Sequence, residues 1–146
     1  MAQTTRSKIV ALALASTVAL SGALTGCTAL PGVSCNFTVE NPHRSSGSSA
    51  YMDAKARVTC TGTVQSLTGE IKMEKLSGTT WSTVSWTPNS RTITNPVPGT
   101  QYTIQTGNKL CSSGTYRAAA RGSGVKDGVS SGSSAWQYSQ TVKIAC

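Results

Sequence analysis

Residues 54–64 read AKARVTCTGTV. Ala54, Ala56, Val58, Cys60 and Val64 fall on one face, and Lys55, Arg57, Thr59 and Thr61 on the other. Apolar residues with period two, set against a charged face, specify a half-buried β-strand. The same period recurs to either side. Upstream, residues 35–40 (CNFTVE) are a short β-prone run stopped by Asn41-Pro42, and residues 43–50 are a serine-rich polar loop. Downstream, residues 70–76 (EIKMEKL) place Ile71 and Met73 inward and Glu70, Lys72 and Glu74 outward. Gly69 and Ser77-Gly78 bound that run too closely for a stable helix.

Residues 81–86 (WSTVSW) follow a glycine turn, with Ser82, Val84 and Trp86 on one side and Trp81 and Thr83 on the other. Thr87-Pro88-Asn89-Ser90 then turns the chain. Residues 91–94 are brief and are broken by Asn95-Pro96-Val97-Pro98-Gly99. Residues 101–106 (QYTIQT) point Tyr102 and Ile104 inward, and residues 115–121 (TYRAAAR) set Tyr116, Ala118 and Ala120 against Arg117 and Arg121. Residues 122–134, rich in Gly and Ser, read as a mobile loop. Residues 135–146 read as one long strand in which Trp136, Tyr138, Val142, Ile144 and Cys146 share a face.

The expectation is an all-β domain of about seven antiparallel strands, with no convincing helix, folded as a β-sandwich. Over residues 35–146 the layout resembles immunoglobulin-like or fibronectin-like domains. That resemblance makes Tyr116 the corner tyrosine, although Ala118 stands where such domains carry a cysteine. A small β-barrel is the alternative architecture.

The N-terminus carries a different signal. Arg6 and Lys8 precede an apolar run over residues 9–24 that is interrupted by Ser16, Thr17, Ser21 and Gly22. A spanning helix needs about 20 predominantly apolar residues. A short, broken run that ends in small residues has the form of a cleaved export signal. Its end, Leu24-Thr25-Gly26-Cys27, resembles the lipobox of bacterial lipoproteins. The resemblance implies cleavage before Cys27 and lipid on its sulfur. Residues 1–26 are then the signal peptide, 27–34 the lipid anchor and short linker, and 35–146 the folded domain. Two or more acyl chains hold a protein stably on a membrane, where one does not. The alternative is ordinary secretion, with cleavage after Ala23 or Ala29.

The chain has five cysteines, and assigning Cys27 to a lipid leaves an even set: Cys35, Cys60, Cys111 and Cys146. In an exported protein such a set reads as disulfides, with three possible connectivities. Cys111 lies just before the strand at 115–121, and Cys146 closes the last strand. If those strands are antiparallel neighbours, their sulfurs meet. The expected bridges are therefore Cys35–Cys60 and Cys111–Cys146.

Net charge is +8, from 13 Lys and Arg against 5 Asp and Glu; without Arg6 and Lys8 it is +6. The basic residues are spread out, which reads plainly as a solvated surface and functionally as an acidic partner. No nucleic-acid motif is present, so sequence-specific nucleic-acid binding is not expected. His43 is the sole histidine and no CxxC pair exists, so no metal site is expected. No cofactor is implied. Glu70 and Glu74 stand about 13 Å apart along one strand, too far for a glycosidase pair. No Gly-x-Ser-x-Gly elbow occurs. His43, in a polar loop, reads as a solvated side chain rather than a general base, so the chain is not expected to be an enzyme.

Binding is the better prospect. Trp81 and Trp86 differ in parity, so one lies outside the core. Trp81 is the candidate anchor, with packing at a strand edge as its plainer reading. Arg121 and Lys126, flanking or within the 122–134 segment, are the other candidates. The expected function is a small exported lipoprotein, anchored to membrane lipid through Cys27 on the extracytoplasmic face. It would act without catalysis, as a binding or structural module for an extracellular ligand or protein. The alternative is a freely secreted β-sandwich protein that binds an extracellular polymer or another cell.

Overall fold

A computed structural model describes residues 27–30, 32–133 and 135–146, and the described residues contain strands but no helix. The strands are β1 (Cys27–Leu30), β2 (Val33–Val39), β3 (His43–Arg44), β4 (Tyr51–Asp53), β5 (Lys55–Cys60), β6 (Ser66–Ser77) and β7 (Thr80–Thr83). They continue as β8 (Asn89–Thr94), β9 (Gln101–Gln105), β10 (Lys109–Leu110), β11 (Gly114–Lys126), β12 (Val129–Gly132), β13 (Gln137–Tyr138) and β14 (Val142–Ile144). All pairings are antiparallel. One sheet has the order β1-β2-β5-β9. The other is built on β6 and β11, paired from Lys75 opposite Tyr116 to Ser66 opposite Val125. β8 and β7 share the far edge of β6, while β14, β13 and β12 share the far edge of β11. A small sheet, β10-β4-β3, lies beside the start of β5.

The alternation read from the sequence decides which face is buried. In β2, Val33, Cys35 and Phe37 are buried while Ser34, Asn36 and Thr38 are exposed. In β5, Ala56, Val58 and Cys60 are buried between partly exposed neighbours. Their inward faces join Leu67, Ile71 and Met73 of β6 and Tyr116, Ala118 and Ala120 of β11 in a single apolar layer. Two rings are buried in that layer, Tyr116 and Phe37, the sole phenylalanine. The Phe37 ring lies over two glycines, Gly69 and Gly122, which sit directly opposite each other in β6 and β11. A Cβ on Gly122 would fall 2.1 Å from Phe37 Cζ, and one on Gly69 would fall 1.9 Å from Ile104 Cδ1. No real contact is that short, so the absence of side chains at these two positions sets how closely the sheets approach.

Both disulfides form, with the expected partners. Cys35 and Cys60 stand opposite each other in β2 and β5, with Cα atoms 4.0 Å apart. Cys111 joins Cys146 across the ends of β11 and β14, where Gly114 pairs with Ile144. Each closed loop contributes about 3–4 kcal/mol in the chain-entropy account. Tyr116 donates its hydroxyl to the Ser112 carbonyl at 2.8 Å, which ties the entry of β11 to the bridge region.

Within the segment read as anchor and linker, Cys27–Leu30 forms β1 and pairs with β2. Three expectations require correction. The segment from Gly122, read as a mobile loop, continues β11 and returns as β12. Asp127 (φ 50°) and Gly128 (φ 75°) form the turn, and two consecutive positive φ values suit the twist of a tight hairpin. Residues 135–146 are not one strand. Between β13 and β14 the Ser139 amide donates to the Ala118 carbonyl, but the Ala118 amide donates back to Ser139 Oγ, so a hydroxyl takes one of the two ladder bonds there. The strand at 81–86 ends at Thr83. Short elements of this kind raise the strand total above seven.

Gly69→Ala is expected to destabilise the protein by about 1–3 kcal/mol through overpacking against Ile104. A lowered urea midpoint with an unchanged m-value checks this.

Candidate recognition surfaces

The outward face of the β6–β11 sheet carries alternating charges and rings. Arg117 stacks 4.3 Å from the Trp81 ring and 4.0 Å from the Tyr138 ring. It also donates to Glu74 Oε2 through Nε (2.8 Å) and Nη2 (2.7 Å). Lys72 reaches Glu74 Oε1 at 2.8 Å and lies 4.6 Å over the Trp136 ring. Arg121 lies 4.6 Å from the same ring and donates twice to Glu70 Oε2. This layout follows from register: Glu74 faces Arg117, Lys72 faces Ala119, and Glu70 faces Arg121. Each cation–ring contact contributes about 0.5–1 kcal/mol at such sites.

Glu74 is the buried carboxylate of this network. Burial pushes its carboxyl up. Hydrogen bonds and charge from Lys72 and Arg117 outweigh burial and hold it below its ordinary 4.5. Two shallow depressions open on the same face. One, of about 470 Å³, includes Glu70, Lys72, Thr83, Asn89 and Trp136; the other, of about 280 Å³, includes Thr68, Glu70, Arg121 and Ser133. The charges lining both are already paired within the face.

The sequence candidates therefore separate. Trp81 and Arg121 share this face, and Trp81 is half-buried against Arg117. Lys126 ends β11, close to Gly32 at the β1–β2 turn, and belongs to a different part of the molecule. The strongly exposed tryptophan is Trp86, at 82%. Its φ of 67° is left-handed, a conformation that costs a bulky residue about 1–3 kcal/mol.

The surroundings enforce that conformation. Thr87, fully buried, accepts from the Met73 amide and donates to the Val84 carbonyl. The Gly107 amide donates to the Thr87 carbonyl, and a Cβ at Gly107 would meet the Trp86 carbonyl at 2.1 Å. Beside this turn a third depression, about 340 Å³, is lined by Val84, Ser85, Lys75, Lys109, Leu110 and Tyr116, among others. Leu110 is 61% exposed, and Tyr51 stands opposite it in β4. Strand parity had placed Trp86 on the same side as Val84. Parity does not reach Trp86, because the strand ends at Thr83 and Ser85-Trp86 form a turn that carries Trp86 outward.

Among the described residues, no three His, Cys, Asp or Glu side chains gather as a metal site would require. His43 Nε2 lies 3.2 Å from the buried Asp53 Oδ1, and its Nδ1 faces the Asn41 carbonyl at 3.1 Å. The His43 ring thus ties β3 to β4. Cys27 opens β1 opposite Asn36. No family model, curated protein or solved structure matches this chain.

Because Glu74 is depressed in the folded state, its contribution is present above the unfolded value and is lost as pH falls through the folded one. Glu74→Gln is therefore expected to lower stability near neutrality by about 1–3 kcal/mol. It should also narrow its deficit against the native protein on acidification below 4.5. Thermal midpoints across that range check the sign.

Proposed function

We propose that this chain is a small exported, membrane-anchored lipoprotein, a non-catalytic binding or structural module held on the extracytoplasmic face through Cys27. The observation that carries the reading is the pairing of the other four cysteines, Cys35 with Cys60 and Cys111 with Cys146. It leaves Cys27 with no cysteine partner in the chain, at the position that resembles a lipobox. Two disulfides are compatible with an extracytoplasmic location. The basic composition, net +8, favours an acidic partner.

Within that reading the domain is immunoglobulin-like or fibronectin-like. Strand order supports it: β2, β5 and β9 lie in one sheet, and β6, β11 and the closing β13 and β14 in the other. The Tyr116 bond to Ser112 supports it further, having the form of a tyrosine corner. The Cys35–Cys60 bridge departs from the immunoglobulin pattern, since it joins neighbouring strands of one sheet.

Detergent phase partitioning tests the anchor. The native protein should enter the detergent phase and a Cys27→Ala variant the aqueous phase. If both stay aqueous, the protein is freely secreted instead.

A further inference from the structure

We propose that the cleft between the open edges of β7 and β10 docks an extended polypeptide strand that carries an apolar side chain next to carboxylates. The proposal deepens the binding-module reading and rests on it, but not on the lipid anchor.

Backbone pairing comes first. β7 pairs only with β6, and β10 only with β4, among the described strands. Ser82 and Thr83 of β7 and Lys109 and Leu110 of β10 line the same depression of about 340 Å³. An open strand edge presents amides and carbonyls without ladder partners, and an extended peptide adds to such an edge as another strand. Two open edges facing one cleft favour a chain in extended form over a flat lipid surface, which needs no cleft.

Side-chain chemistry narrows the partner. Val84, Leu110 and Tyr116 make part of the lining apolar, which suits one aliphatic side chain of the incoming strand. Trp86, next to Ser85, is exposed on a turn fixed by Thr87 and Gly107, so little backbone freedom of that turn remains to be lost on contact. Tryptophan side chains are enriched among the anchors of interfaces. The lining includes two cations, Lys75 and Lys109, and no carboxylate. Lys75 is held by Ser112 Oγ and the Tyr116 ring, which leaves Lys109 to meet an incoming carboxylate.

Position agrees with an outward-facing role. Cys27 lies in register with Asn36, Thr59 and Gln101. Gly107, which contacts the Trp86 turn, is six residues beyond Gln101, about 20 Å along the strand direction. The cleft thus lies toward the end of the domain away from the Cys27 register.

The test is an amide-shift titration of the exported Cys27→Ala protein with two synthetic pentapeptides, Glu-Val-Leu-Val-Glu and Lys-Val-Leu-Val-Lys. The acidic peptide should move the amides of β7 and β10 and the Trp86 indole. It should bind about fivefold more tightly than the basic one, the size of one surface ion pair. Lys109→Glu should remove or reverse that preference, and Trp86→Ala should weaken binding without lowering the thermal midpoint. Shifts absent up to about 10 mM peptide, equal affinity for both peptides, or shifts confined to Trp136 and Tyr138 would overturn the proposal. So would a Trp86 fluorescence change with phosphatidylglycerol vesicles and none with peptide. Cys27 is replaced throughout, so loss of the anchor leaves this result intact, and peptide failure leaves the partitioning result intact.

Discussion

The contact of the Phe37 ring with the bare backbone at Gly69 and Gly122 governs the distance between the two sheets. Much of the remaining layer is Ala, Val and Ile, whose side chains could pack at more than one spacing. The Phe37 ring and two missing Cβ atoms remove that freedom where they meet, because interiors pack densely and tolerate little added volume. Once the sheets are set, the bridges join points that are already close: Cys35 to Cys60 within a sheet, and Cys111 to Cys146 at the end of β11. The two disulfides add to a core that is small in aromatic content.

The outer surfaces follow from the same strands. Alternation that sends Met73 and Ala118 inward sends Glu74 and Arg117 outward, opposite each other. The resulting face is internally paired: every Glu and Arg along residues 70–74 and 117–121 has its partner, and Trp81, Trp136 and Tyr138 cover the cations. Such a face stabilises the sheet and offers little unpaired chemistry. The β7–β10 end is the contrast. There a buried threonine holds an exposed tryptophan in a left-handed conformation, and two strand edges stay open.

Much of the fold was legible because it rests on local alternation. Residues 54–60 and 70–76 show which face is buried without reference to anything distant, and Cys111–Cys146 followed from two adjoining strands. Elements set by turn chemistry were less legible. Asp127-Gly128 makes a hairpin of a segment whose composition suggests a loop, because two positive φ values matter more there than Gly and Ser content. At Ser139, in the gap between β13 and β14, a hydroxyl takes the Ala118 amide in place of a backbone carbonyl, a tertiary contact that no periodicity encodes. Trp86 was misplaced by parity, since parity holds only while the strand continues. The Gly69–Gly122 seat required the β6–β11 register, which a single strand does not disclose.

The central claim is that Phe37 and Gly122 act as a unit. A double-mutant cycle of Phe37→Leu and Gly122→Ala, followed by urea unfolding, tests it most directly. Each single change should destabilise, and the pair should lose at least about 1 kcal/mol less than the sum, because leucine lacks the ring atoms that meet the new methyl. Additivity within about 0.3–0.5 kcal/mol would contradict the account, since the two positions would then be independent.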